Sequence, residues 1–156
     1  MSGFGRNLRW AMALSVGLAV AGGGAIAKID AKKAVADRQA NFKQIGGAFK
    51  AISDQLKSPT PDMAVLEASA AKMASLGGQA DAWFPKGTGP SKTYKTAAKP
   101  EIWKDAAGFA AAALKTETAK LSEAANSGNL DAFKAQVRPV GMACKGCHDK
   151  YRVNPA

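Results

Sequence analysis

Apolar residues recur at helical spacing along most of this 156-residue chain, and that regularity restricts it to helix-on-helix packing. From about Asp30 to Lys57, the residues Val35, Phe42, Ile45, Phe49, Ile52 and Leu56 follow at intervals of 7, 3, 4, 3 and 4. Such intervals place side chains on one stripe of an α-helix, which turns once in about 3.6 residues. Ser58-Pro59-Thr60-Pro61 ends the stripe, because proline has no amide hydrogen to donate. Met63, Leu66, Ala70, Met73 and Leu76 predict a second helix, starting near Asp62 and stopping at Gly77-Gly78. The stretch from about Asp81 to Lys99 holds Pro85, Gly87, Gly89 and Pro90 and predicts a loop. Pro100 and Glu101 suit the first turn of a third helix, running through Ile102, Phe109, Leu114 and Leu121 to Asn126-Ser127-Gly128. Leu130, Phe133, Val137, Val140, Cys144, Cys147 and Tyr151, at intervals of 3, 4, 3, 4, 3 and 4, predict a fourth. Pro139 within it predicts a kink or a restart.

Four amphipathic helices with mostly short connections argue an all-α, antiparallel four-helix bundle. Hydrophobic residues make up 47% and charged residues 22%, so this is globular material and not a disordered tail. No internal repeat or linker divides residues 28–156, which read as one domain. Ahead of it, residues 1–27 read as a signal peptide. Arg6 and Arg9 precede an apolar run from Trp10 to Ala21, and Ala25-Ile26-Ala27 supplies a small-x-small end. The run is short for a spanning helix, which needs about 20 residues. Export is therefore expected, to the periplasm in a Gram-negative cell, with no stable membrane anchor. Counting through to Ala27 keeps an uncleaved anchor as the alternative.

The chain's two Cys and single His fall within five consecutive positions. Cys144-Lys145-Gly146-Cys147-His148 is a C-x-x-C-H sequence, the attachment signature of a c-type haem. On a helix, Cys144 and Cys147 are i and i+3, and His148 is i+4 from Cys144, so all three project from one side. Two thiols can then form thioethers with the vinyl groups along one porphyrin edge, while the imidazole reaches the iron. A dithiol redox motif would want a βαβ setting. A structural zinc site would want further Cys or His ligands, and a chance pair of core cysteines is the bland alternative; the motif together with an export signal favours haem attachment over all three.

Cys144-Lys145-Gly146-Cys147-His148-Asp149-Lys150-Tyr151-Arg152, near the end of a four-helix chain, resembles the cytochromes c′, or class II cytochromes c. Arg38-Gln39-Ala40-Asn41-Phe42, Phe84-Pro85-Lys86-Gly87-Thr88-Gly89 and Lys99-Pro100-Glu101-Ile102-Trp103 are similar to the family as well, in order and spacing. The resemblance implies one covalently bound haem c on Cys144 and Cys147, with His148 as axial iron ligand. It implies Arg38 and Gln39 on the propionate side, Phe42 in the distal pocket and Arg152 in the proximal pocket beside the imidazole. Phe42 stands where low-spin relatives place a Met ligand, so the iron is expected to be five-coordinate. Read without the family, Arg38 is a solvated helix charge and Phe42 is core. Met63 and Met73 read as core packing and are the candidates if a sixth ligand exists.

The resemblance implies NO and CO as ligands, with NO able to weaken the trans His148 bond, and a homodimer as a common assembly. One-electron transfer is the second function. Lys43, Lys50 and Lys57, seven apart, could dock an acidic redox partner of unknown identity, or form a solvated face. A low-spin, six-coordinate class II cytochrome acting only as an electron carrier is the alternative. An enzyme is not expected, because no distal His or Arg stands at the matching position to assist at bound peroxide. The formal charge of +10 would suit nucleic acid, but export and the haem motif argue against that partner.

Overall fold

The computed structural model describes residues 29–112 and 114–153; residues 1–27, read above as a signal peptide, lie outside them. Helix α1 spans Ala31–Gln55 and α2 spans Met63–Gly77. A 3-10 turn follows at Ala80–Trp83, inside the stretch read as loop. Short helices α3 (Glu101–Lys104) and α4 (Ala106–Ala111) precede α5 (Lys115–Asn126), and α6 runs over Leu130–Tyr151. α1 packs on α2, α2 on α5 and α5 on α6, giving the expected four-helix bundle with α3, α4 and α5 sharing the third position.

The helix starts follow local chemistry. Asp30 accepts from Lys33 N, Asp62 from Ala64 N, and Asn129 from both Asp131 N and Ala132 N. Each side chain satisfies a first-turn amide that has no partner within the helix. The α5–α6 turn uses Gly128 at φ 68, the left-handed region where a side chain would be strained. The apolar stripes meet in one core in which Ile52, Leu66, Met73, Leu121, Phe133 and Val140 are fully buried. Each such side chain contributes about 1.5–3 kcal/mol relative to exposure.

One sequence expectation is narrowed and one is corrected. Pro139 produces no restart, since α6 continues through it from Leu130 to Tyr151. The carbonyl deprived of a donor belongs to Ala135, an exposed residue where water can take the missing place. The third helix is not continuous. Asp105 leaves helical geometry at φ −121, ψ 60 and caps α4 by accepting from Gly108 N. An added Cβ at Gly108 would lie 2.3 Å from Asp105 Oδ2, so a glycine there makes room for the cap.

α2 approaches α5 closely at Gly77, where an added Cβ would stand 2.7 Å from Thr118 Oγ1 and 3.4 Å from Leu114 Cβ. At Gly47 on α1 an added Cβ meets nothing within 4 Å. Gly77→Ala is expected to destabilise the protein by about 1–3 kcal/mol through overpacking. Gly47→Ala should stabilise it by ~0.5–1 kcal/mol through helix propensity. Urea denaturation of both variants reads the two opposite signs.

Candidate functional site

α1 and α6 face each other across a cleft of about 600 Å³. Phe42, Ile45 and Phe49 line it from α1, and Cys144, Cys147 and His148 from α6. Thr96, Ala97 and Ala98, with Ile102 and Phe109, close one end. Its volume falls within the range of small-molecule and cofactor sites, about 300–1,000 Å³. The three residues of the C-x-x-C-H sequence thus share one wall, as their helical spacing requires. The cysteines are half-buried and not joined in a disulfide.

The electrostatics of that wall distinguish the readings of the motif. Burial pushes the Cys144 thiol up, and burial with the neighbouring Cys144 charge does the same for Cys147. A dithiol redox site needs the opposite, a thiolate favoured near neutral pH. Burial lowers the His148 imidazole, Arg152 lowers it further, and Asp149 opposes both. A neutral imidazole keeps a nitrogen lone pair for a metal. Among the described residues no group of three or more His, Cys, Asp or Glu could hold a bare metal ion. The donor set fits a haem: two thiols and one imidazole on a single wall of an apolar cleft. Cys144 and Cys147 would hold it at the edge and His148 would reach the iron.

Phe42 lines the cleft from the opposite helix. Trp83 meets its ring edge-on at 5.1 Å between centroids, and Phe84 backs it at 6.0 Å. Neither Met63 nor Met73 lines the cleft. Met73 is fully buried in the bundle core, Met63 packs against that core, and Met142 is exposed.

Arg38 is not the solvated charge that helix periodicity alone suggests, for it is only 3% exposed. Its Nη1 donates to Thr88 Oγ1 at 2.9 Å, and its Nη2 donates to Thr88 O at 2.8 Å and Thr96 Oγ1 at 2.7 Å. The guanidinium also lies 4.7 Å from the centre of the Phe84 ring. Gln39 Nε2 donates to Lys95 O at 3.0 Å. Both residues line the cleft, and both fasten the loop that covers it. Arg152 lines the cleft one turn beyond His148 and pairs with Ala98 in an isolated antiparallel bridge. Of the lysine row, Lys50 and Lys57 both pair with Asp54, which leaves Lys43 at the cleft.

Three residues to which the sequence assigned no individual role belong to the site's frame. Thr88 is fully buried and supplies two acceptors to Arg38. Tyr151, part of the helical stripe and of the family-like segment, lines the cleft and donates to Asp105 Oδ2 at 3.0 Å. Asp105 also accepts from Lys150 Nζ at 2.6 Å. Asp is a favoured N-cap residue, but in an apolar, Ala-rich run nothing local marks a helix start at Asp105. Its link to α6 spans 46 residues and was not readable either.

A cytochrome c′ family model matches residues 33–152. The cytochrome c′ of Rubrivivax gelatinosus is 38% identical over 122 residues, covering 76% of this chain and 93% of that protein. The crystal structure of the Thermochromatium tepidum cytochrome c′ superposes with a TM-score of 0.75 at 28% identity, covering 82% of this chain and all of that one. A nitric oxide complex of an Alcaligenes xylosoxidans cytochrome c prime variant superposes with a TM-score of 0.70 at 34% identity, covering 80% and 97%.

Replacing Arg38 by Leu removes three hydrogen bonds and strips buried acceptors of their donor. The expected loss is roughly 2–4 kcal/mol, with faster tryptic cleavage at Lys92 and Lys95 as the loop loosens. Asp105 is held below the ordinary carboxylate range, first by Lys150, then by the Gly108 amide and Tyr151. A depressed carboxylate stabilises the fold above its unfolded value and loses that contribution as pH falls through its folded one. The thermal midpoints of the wild type and Asp105→Asn should therefore converge as pH falls from about 5 to about 2.

Proposed function

The chain belongs to the cytochrome c′ family and is a haem protein, and on that premise we propose an exported, periplasmic haem c protein that binds NO and CO at a five-coordinate iron. The observation that carries this reading is the opposition of Cys144, Cys147 and His148 on one wall to Phe42 on the other. One haem, bound through thioethers to both cysteines, supplies an iron that exchanges one electron and takes a diatomic ligand. Cys144 and Cys147 fix the orientation of the group, and His148 offers a neutral nitrogen on its own side.

Phe42 does the selecting. Its ring, backed by Trp83 and Phe84, offers no hydrogen bond to water or to an anion on the distal side. An uncharged diatomic enters such a space at little desolvation cost, whereas an anion entering it loses hydration without compensation. The packing of Met63 and Met73 away from the cleft supports a vacant distal side over the six-coordinate alternative. That a relative has been captured with nitric oxide supports NO as the ligand. Arg152 stands beside His148, where its charge would meet any ligand arriving on the proximal side. Electron exchange with a redox protein belongs to the same reading, and catalysis does not.

Export rests on the basic, apolar and small-residue order of residues 1–27. Among the described residues no helix is long and apolar enough to cross a membrane.

Optical spectra of the mature protein, ferric and ferrous, with and without CO, test the coordination. A broad high-spin ferrous spectrum that shifts with CO is expected. A sharp spectrum indifferent to CO would mean a sixth ligand and leave electron transfer alone. Phe42→Ala should speed CO binding by about tenfold or more, equivalent to ~1.4 kcal/mol of barrier, by stopped-flow mixing. An unchanged rate would remove Phe42 as the gate.

A further inference from the structure

We propose that Asp105 is the positioning residue for His148 and acts through the Tyr151 hydroxyl. The inference rests on the haem reading of the cleft. It concerns how firmly the last turn of α6 holds the imidazole.

That turn is gripped from two sides. On one, the main chain pairs with the segment before α3: Lys99 N donates to Tyr151 O at 2.9 Å and Val153 N to Ala97 O at 2.7 Å. On the other stands Asp105, at the break between α3 and α4. Its Oδ1 accepts from Gly108 N at 3.0 Å, and its Oδ2 accepts from Tyr151 OH at 3.0 Å and Lys150 Nζ at 2.6 Å. A single carboxylate thus ties the start of α4 to the helix turn that carries His148. Tyr151 lies three residues after His148 on the same helical face, and both line the cleft.

The tyrosine is the buried one of the two α6 links. It is 2% exposed, and Phe109 of α4 meets its ring edge-on at 5.1 Å. A hydrogen bond from a buried hydroxyl to a carboxylate is worth more than an exposed ion pair, and removing one partner strands the other. The Lys150–Asp105 pair is solvent-exposed on both sides and contributes little by comparison. The bend at Asp105 is also what aims its carboxylate at α6. An unbroken third helix would place residue 105 in mid-helix, with its side chain no longer capping Gly108 N.

Resonance Raman spectroscopy of the ferrous, haem-loaded protein reads the His148–iron stretching band. Tyr151→Phe removes one oxygen and leaves Asp105 on the Gly108 amide, so the fold should persist while the band moves to lower frequency. Asp105→Ala should move it at least as far. Asp105→Asn, which can still hydrogen-bond the hydroxyl, should restore most of the wild-type position. Lys150→Ala should leave the band in place. Leu121→Ala, a core truncation away from the cleft, should lower the thermal midpoint without moving it. A band unmoved in Tyr151→Phe would overturn the inference alone, as would a band that follows Lys150→Ala or Leu121→Ala. Wild-type protein that carries no haem would overturn the reading of the cleft and the inference with it.

Discussion

A guanidinium buried inside a helical bundle must find acceptors, because an unpaired charge away from water costs several kcal/mol. Arg38 finds them in one place, on Thr88 and Thr96, and the consequence is architectural. The long connection between α2 and α3 carries little regular structure of its own, yet it forms one end of the cleft. It holds that position because Arg38 draws its two threonines inward and Gln39, the next residue on α1, takes the carbonyl of Lys95. Thr88 in turn donates to Pro85 O, so the tight turn at Gly87 is fixed from within. A lysine at position 38 would satisfy the charge but could not present a planar fork to two residues eight apart.

The cleft exists because one pair of helices in the bundle does not close. Three neighbouring pairs pack directly, while α1 and α6 line the cleft between them. Phe42, Phe84, Phe109 and Tyr151 form a run of edge-on and tilted contacts, with centroid separations of 4.8 to 6.0 Å, that leads from the α1 wall to the α6 wall. Such contacts orient rings as well as burying them. They link the helix bearing Phe42 to the turn bearing His148, with α4 between. The breaks around α4 let Phe109 and Asp105 both serve the cleft.

The basic character of the chain is partly local. Lys33, Lys50, Lys120 and Lys145 each pair with a carboxylate three or four residues away on the same helix. Exposed pairs of this kind add a few tenths of a kcal/mol and leave the overall positive charge in place. No carboxylate side chain lines the cleft among the described residues, whereas Arg38, Lys43 and Arg152 do. That distribution suits a group bearing carboxylates at its edge, which is how the propionate side of a haem would be met.

The helix spacing, the proline and glycine stops and the C-x-x-C-H sequence determined the bundle, its four positions and the wall of the site, because all of these are set by residues within a turn or two of each other. Phe42 could be placed on the inward stripe of α1 for the same reason. Sequence could not decide whether Arg38 is solvated or buried, since a helix stripe does not say what a distant loop will offer. It could not show that Pro139 is absorbed without a restart, because that depends on Ala135 facing water. Nor could it show the break at Asp105, whose reward lies on Tyr151 and Lys150 in another helix. Local periodicity determined what packs inward; only tertiary structure decided which polar groups meet around the cleft, because those partners are separated by 45 to 58 residues of chain.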